Sequence, residues 1–446
     1  MEGTPARTIR PFLGMWCIAL VVLQLFGAWF ARPASHVSFD FRGFYAAGYL
    51  ARSHPGSLYD LAVQKHIQDA LISPRKDVLA VYHPSYEALL YAVFSLMKYQ
   101  AAYLVYIAFT MLVLLSAFFA AWPEFSAFIP VWQPQPGSMF FIYLPVVICA
   151  IQGQDSILLL LLYCLAWRYL AAGKDRAAGI ILAIALFKFQ ITLPIALVTA
   201  ICRGRRFSIG FGASSVGVFL LSILLVGPHA IAELFSILIG ATSTNTFEQY
   251  RLSVSPLSMP NIAGLFYGLG GRLLTSRVFN VCVGALSLGV LAWCAKAARR
   301  REPKLAFAIA ILCAVMVSYH FYFYDLAILL LPIAILADRL PQYVLLSLFG
   351  TPLIVLELGP NWYFFMAIPL AVTLAYTIFF TPKLADLQRV ADKYIDPSKL
   401  AIPVVGNEGH YGTPLSALDL GPVHPLDITI PMPTAMRREM NGQGGQ

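Results

Sequence analysis

Residues 177–202 read AAGIILAIALFKFQITLPIALVTAIC, 26 residues in which Lys188 and Gln190 are the strong polar interruptions. The run is long enough to cross a bilayer, since a spanning helix needs roughly 20 largely apolar residues. A lysine in the middle of such a run is costly unless it meets a partner or an anionic ligand. The pattern therefore predicts two short helices that turn at Lys188. Broken helices at membrane depth are tolerated where they line a polar cavity.

Comparable apolar segments lie at Pro11–Ala31 and near 84–97, 100–122, 139–151, 155–171, 207–227, 277–297, 304–319, 322–338, 340–357 and 361–380. None alternates polar and apolar residues as barrel strands do, so they read as helices. The expectation is an all-α, polytopic transmembrane bundle with about 11–13 membrane segments. The first segment has no clear cleavage site after it and reads as a retained anchor. Residues 32–83 form a polar outer loop with helical patterns at Tyr45–Ala51 and Leu61–Leu71. Residues 228–276, with Pro228, Pro256 and Pro260, read as a large loop with a re-entrant piece. From Lys383 apolar content falls and Pro, Gly and charge rise, so 383–446 reads as a mostly disordered cytoplasmic tail and 1–382 as the membrane domain.

Hydrophobic residues make up 59% of the chain and charged residues 12%, about half the roughly 25% of a soluble domain. The net charge of +9 sits in short connectors: Arg7 and Arg10; Arg203, Arg205 and Arg206; Lys296 to Lys304. Short loops rich in Lys and Arg stay in the cytoplasm, so the basic balance reads as topology and a nucleic-acid partner is not expected. It puts the N-terminus inside and the protein in the cell membrane as a multi-pass protein. Simple alternation then leaves Gln154 inside, whereas a shared outer site needs it outside, so one segment between 84 and 150 is miscounted. The seven cysteines lie in or beside apolar runs without metal spacing, which predicts neither a structural disulfide nor zinc.

Six short stretches hold the polar residues that could carry chemistry. Asp40 opens the stretch Phe39-Asp40-Phe41-Arg42-Gly43-Phe44-Tyr45, just past the first span. Its carboxylate suits a general base and equally a helix N-cap. Tyr82-His83-Pro84-Ser85-Tyr86-Glu87 offers His83 for an anionic group. In Gln152-Gly153-Gln154-Asp155-Ser156 the glycine suits a tight polar turn, and Asp155 could cap the following helix. Lys188-Phe189-Gln190 is either an anion site or a structural salt bridge. Ser258-Met259-Pro260-Asn261 is a turn signal. Tyr319-His320-Phe321-Tyr322-Phe323-Tyr324-Asp325 is in part an interfacial aromatic belt, which leaves His320 and Asp325 unexplained.

Taken in order, DFRGFYAAG, YHPSYEALL, GQDSILLLLL, AAGIILAIALFKFQ, SMPN and SYHFYFYD resemble glycosyltransferase family 87 over most of residues 10–380. The resemblance implies the GT-C architecture, a helical membrane fold with its active site at the outer face. It implies transfer of a hexose, mannose-like in the commoner members, from a polyprenyl-phosphate carrier to an extracytoplasmic glycan, lipid or protein acceptor. Asp40 matches the expected base, Lys188 the lysine of the split span, and Gly153 and Gln154 the Gly-Gln turn. The substrate-binding set expected from motifs and resemblance together is Arg42, Tyr45, His83, Gln154, Asp155, Lys188, Gln190, Asn261, His320 and Asp325. Lys188, with Arg42 or His320, would face the departing lipid phosphate.

The chain departs from the commoner pattern at His83-Pro84-Ser85 and at Lys188-Phe189, so a mannosyl donor is not assumed. No nucleotide-binding Gly-rich loop is present, in keeping with a lipid-linked donor. No metal ligand set and no cofactor are expected, and a divalent-metal requirement stays open. The competing class is a transporter or flippase of lipid-linked or small anionic substrates. Transporters often pair broken helices in two repeats; the sequence offers one split span and no clear partner. A structural assembly subunit is a third reading.

Overall fold

The computed structural model describes residues 40–75, 78–125, 140–241, 255–337 and 339–381, and these residues contain helices and no strand. The expected anchor at Pro11–Ala31 and the expected tail at 383–446 lie outside the described residues.

The helices, in chain order, are α1 (Phe41–Ser53), α2 (Leu61–Leu71), α3 (Ser85–Phe94), α4 (Tyr99–Phe125), α5 (Leu144–Gln152), α6 (Ser156–Ala171), α7 (Asp175–Ile184) and α8 (Phe189–Arg203). They continue as α9 (Arg205–Ala241), α10 (Ile262–Gly268), α11 (Ser276–Ala298), α12 (Pro303–Val317), α13 (Leu330–Leu336), α14 (Gln342–Leu358) and α15 (Ala367–Phe379). Short 3₁₀ turns lead into α8, α13 and α15 at Ala185–Lys188, Phe323–Leu329 and Pro360–Met366. Five stretches are long and apolar enough to cross a membrane: Tyr99–Glu124, Asp175–Arg203, Arg205–Ile239, Ser276–Ala298 and Pro360–Phe379. Four shorter apolar helices accompany them.

Asp175–Arg203 does not run through as one crossing. Its two ends meet, with Arg203 bridging Asp175 at 2.7 Å and donating to the Leu170 carbonyl at 2.9 Å. The chain goes in along α7, turns at Ala185–Lys188 and returns along α8, so Lys188 sits at the tip of a hairpin, as the sequence leads one to expect. A second hairpin, in line with the separate apolar runs at 304–319 and 322–338, goes from Pro303 to Leu336: Glu302, before α12, pairs with Arg339, after α13, at 3.0 Å. His320 lies at its turn.

The helix ends gather by charge. Glu124 at the end of α4 pairs with Lys304 at 3.0 Å and accepts from Trp167 Nε1 at 2.9 Å. Arg301 donates to the carbonyls of Ile378 and Thr381 at the end of α15. Arg203, Arg301, Lys304 and Arg339 thus share one basic end of the bundle, and the hairpin tips lie at the other.

Two expectations need correction. The apolar segment at 84–97 is α3, ten residues long. At 1.5 Å per residue it reaches about 15 Å, half of the ~30 Å hydrocarbon core. Both its flanks lie at the tip end: His83 lines the cavity there, and the Met97 carbonyl accepts from Tyr45. Removing this crossing from the count brings Gln154 to the same end as Asp40. The second correction concerns the loop at 228–276: its first part continues α9 to Ala241 beyond a kink at Gly227, whose φ of +83° precedes Pro228.

Candidate active site

Asp40 stands immediately before α1, yet its carboxylate caps nothing; the helix start shows no side-chain capping bond. The carboxylate instead accepts from Gln154 Nε2 at 2.6 Å. Gly153 makes this meeting possible. It holds a left-handed φ of +68°, and a Cβ there would lie 2.5 Å from the Cβ of Phe41. Only glycine allows both the turn and the close approach, which places Gln154 against Asp40. Burial raises Asp40 above the usual 3.8 of its carboxyl group, and the Gln154 hydrogen bond and the Lys188 charge offset this only in part.

Lys188 is fully engaged at the hairpin tip. Its ammonium lies 2.6 Å from Asp155 Oδ1 and 2.5 Å from Asp325 Oδ1, and it donates to Ser156 Oγ at 2.7 Å. Ser156 donates in turn to Asp325 at 2.6 Å. The other Asp325 oxygen accepts from the Tyr322 amide at 2.9 Å, which pins the start of the second hairpin's return arm. Lys188 also lies 5.2 Å from the centre of the Tyr324 ring. Asp155, which the sequence offers as a cap, makes no capping bond. Its second oxygen faces His83 Nδ1 at 3.3 Å. Burial alone would raise Asp155, but Lys188 and His83 outweigh it and hold the carboxyl well below its usual range.

His83 Nδ1 also meets Glu87 Oε2 at 2.6 Å, one helical turn on. His320 Nε2 shares a 2.7 Å hydrogen bond with the Tyr82 hydroxyl. Burial pushes His320 down to about 4, so it is a neutral imidazole and adds no charge to the site.

A cavity of about 280 Å³ opens among these groups, lined by Asp40, His83, Gln154, Lys188, Gln190, His320 and Asp325, with the Tyr82, Tyr322 and Tyr324 rings and the Val78–Val81 strip. Residues from the polar loop, the Gly153 turn and both hairpins thus meet at one place. Four expected site residues do not line it. Arg42 is buried against α2 and the loop after it, donating to Gln68, Ser73 and Asp69 at 3.0–3.1 Å. The Tyr45 hydroxyl donates to the Met97 carbonyl at 2.7 Å. Asn261 caps α10 through its side-chain oxygen and donates to the Ser318 carbonyl at 2.6 Å, which anchors the chain before His320. Asp155 stands behind Lys188 and His83. The expectation that Arg42 or His320 supplies charge to the cavity is therefore corrected: Arg42 is spent on its own lobe and His320 is neutral.

Sequence reasoning passed over Tyr82, Glu87 and Ser156. All three lie in the quoted motifs, and the His83–Glu87 spacing of four was the available signal. His83, Glu87 and Asp155 bring one ligand atom each to within 4.8 Å of one another, a nitrogen and two carboxylates that could hold a divalent cation.

A buried polar cavity thus lies at one end of an apolar helical bundle, with a carboxylate of raised basicity beside a lysine. The model of glycosyltransferase family 87 matches residues 81–321, more than half of the chain, and the chain belongs to that family. It is a membrane glycosyltransferase. The match contains His83, Gln154, Lys188 and His320; Asp40 precedes it and Asp325 follows it. No curated protein and no solved structure matches the chain.

Proposed function

We propose that the protein moves a hexose from a polyprenyl-phosphate carrier to an extracytoplasmic acceptor, with Asp40 as general base. The supporting observation is the state of the Asp40 carboxylate. It lines the cavity, caps no helix and is held by Gln154. Burial makes it a stronger base than a solvated carboxylate, the condition under which it can take the acceptor hydroxyl's proton at working pH. Lys188 would supply charge opposite the departing lipid phosphate. A single displacement inverts the anomeric centre: the acceptor oxygen forms its bond to C1 as the C1–O–phosphate bond breaks, Asp40 keeps the proton, and the phosphate leaves on the lipid. A cavity at the end of the bundle suits a donor that enters from the bilayer. Orientation by the positive-inside rule puts the basic end in the cytoplasm and the cavity outside. The family membership favours transfer over transport.

Asp40→Asn tests this. Asn keeps the size and the hydrogen bond with Gln154 but cannot accept a proton. Turnover of polyprenyl-phosphate sugar in the purified variant should fall by roughly 10²–10⁴-fold, the usual worth of a general base, with melting temperature and donor binding unchanged. Wild-type turnover in Asp40→Asn would remove Asp40 from the chemistry.

A further inference from the structure

Among the described residues, the basic side chains around the cavity are spoken for except one. The ammonium of Lys188 donates to Asp325 and Ser156 and ion-pairs with Asp155 at 2.6 Å. His320 is paired with Tyr82. His83 is different. Both of its polar contacts, to Glu87 Oε2 and Asp155 Oδ2, are at Nδ1, and among the described residues Nε2 has none, although the ring lines the cavity. The rest of the residue is fixed from several sides. Tyr59 donates to its carbonyl at 2.7 Å, Phe44 packs 5.4 Å from the ring centre, and Pro84 follows it in the chain.

Glu87 has no use at the surface, because it is 95% buried. A carboxylate in that position is costly unless it pairs with a cation. We propose that Glu87 is a positioning residue for an anionic ligand: with Asp155 it clamps the Nδ1 edge of His83, keeps the ring charged, and leaves the Nε2 edge to donate to the phosphate of the lipid-linked donor. This rests on the proposed transfer reaction for the identity of the ligand. Two carboxylates on one ring edge give the ring a fixed orientation as well as a charge. The other ionisable groups facing the ring's surroundings are Tyr82, Tyr322, Tyr324, Lys188, His320, Asp40 and Asp325.

The probe is farnesyl methyl phosphate, a singly charged phosphodiester, bound to the protein in nanodiscs. His83→Gln should weaken binding roughly tenfold or more, as loss of a charged hydrogen bond does. Glu87→Gln, which keeps the shape and can still hydrogen-bond Nδ1 but lacks the charge, should weaken it several-fold. Adding Glu87→Gln to His83→Gln should then change nothing further, whereas a merely structural Glu87 would add its own loss. Unchanged affinity in either single variant, or a further loss in the double variant, overturns the proposal. If Glu87→Gln does not fold, His83→Gln alone decides. Stoichiometric Mn²⁺ binding that Glu87→Gln abolishes would also overturn it, making the cluster a cation seat. Binding is read without turnover, so a protein that binds the phosphodiester through His83 but transfers no sugar would overturn the transferase reading and leave this one standing.

Discussion

At the scale of single residues, burial works in opposite directions on the groups around the cavity. It makes Asp40 a stronger base, and because only the ionised carboxylate can take a proton, transfer should be lost as pH falls through a value above 3.8. The acid limb of kcat/KM measures this; a limb at or below 3.8 would mean that the base is solvated. Lys188 is held by two buried carboxylates, so its removal has a structural cost as well as a chemical one. Breaking a buried pair by deleting one partner costs about 3–5 kcal/mol, because the remaining charge stays uncompensated. Lys188→Met should therefore lower the melting temperature in detergent and abolish turnover. Adding Asp325→Asn should restore part of the melting temperature and none of the turnover. Recovery of both would reduce Lys188 to a structural partner. In the sequence, Arg42 looks like a ready phosphate ligand two residues from the base. Its real partners, Gln68, Asp69 and Ser73, are some thirty residues away, a separation that no local pattern encodes.

At the scale of elements, the hairpin that carries Lys188 is held by close helix packing. Gly179 on α7 and Gly210 on α9 face each other's helices. A Cβ on Gly179 would lie 2.5 Å from the Phe207 carbonyl oxygen, and one on Gly210 would lie 2.2 Å from the Arg176 carbonyl oxygen. Both obstacles are backbone, so neither can move aside as a side chain does. Small residues that let helix backbones approach are the usual means of association in lipid, where the hydrophobic effect does not drive helices together. Gly210→Ala should cost about 1–3 kcal/mol by overpacking. It should also lower turnover, although Gly210 touches no cavity group. Thermal melting and turnover of the variant, measured together, check this; unchanged values in both would show that the helices can slide apart freely. The break at Lys188 was legible because a charge interrupts an apolar run. The second hairpin was legible too, as two apolar runs joined by a polar stretch with His320 and Asp325, and the Glu302–Arg339 pair ties its far ends together.

At the scale of the whole molecule, the two hairpins decide the topology. If 175–203 crossed once, Lys174 and Gly204 would lie on opposite faces; with the Asp175–Arg203 bridge they share one. In a background stripped of native thiols, Ser57→Cys should react with an impermeant maleimide from outside the cell, whereas Lys174→Cys and Arg300→Cys should react only after permeabilisation. Outside labelling of Lys174→Cys would end the hairpin reading, and outside labelling of both Ser57→Cys and Arg300→Cys would end the proposed orientation.

The sequence by itself determined the class of molecule. An apolar content of 59% leaves lipid as the only solvent able to cover so many long runs, and the ionisable residues within and beside those runs marked Asp40, His83, Lys188, His320 and Asp325 as candidates. These are local properties, readable from one window of chain at a time. The tertiary structure alone decided which candidates share a cavity, that α3 does not cross, and that Glu87 stands behind His83 while Arg42 does not face the site. Each of these depends on where separate helices end relative to one another. Backbone approach at glycines and pairing of distant charges set those positions, and hydropathy, which depends only on composition within a window, carries no record of either.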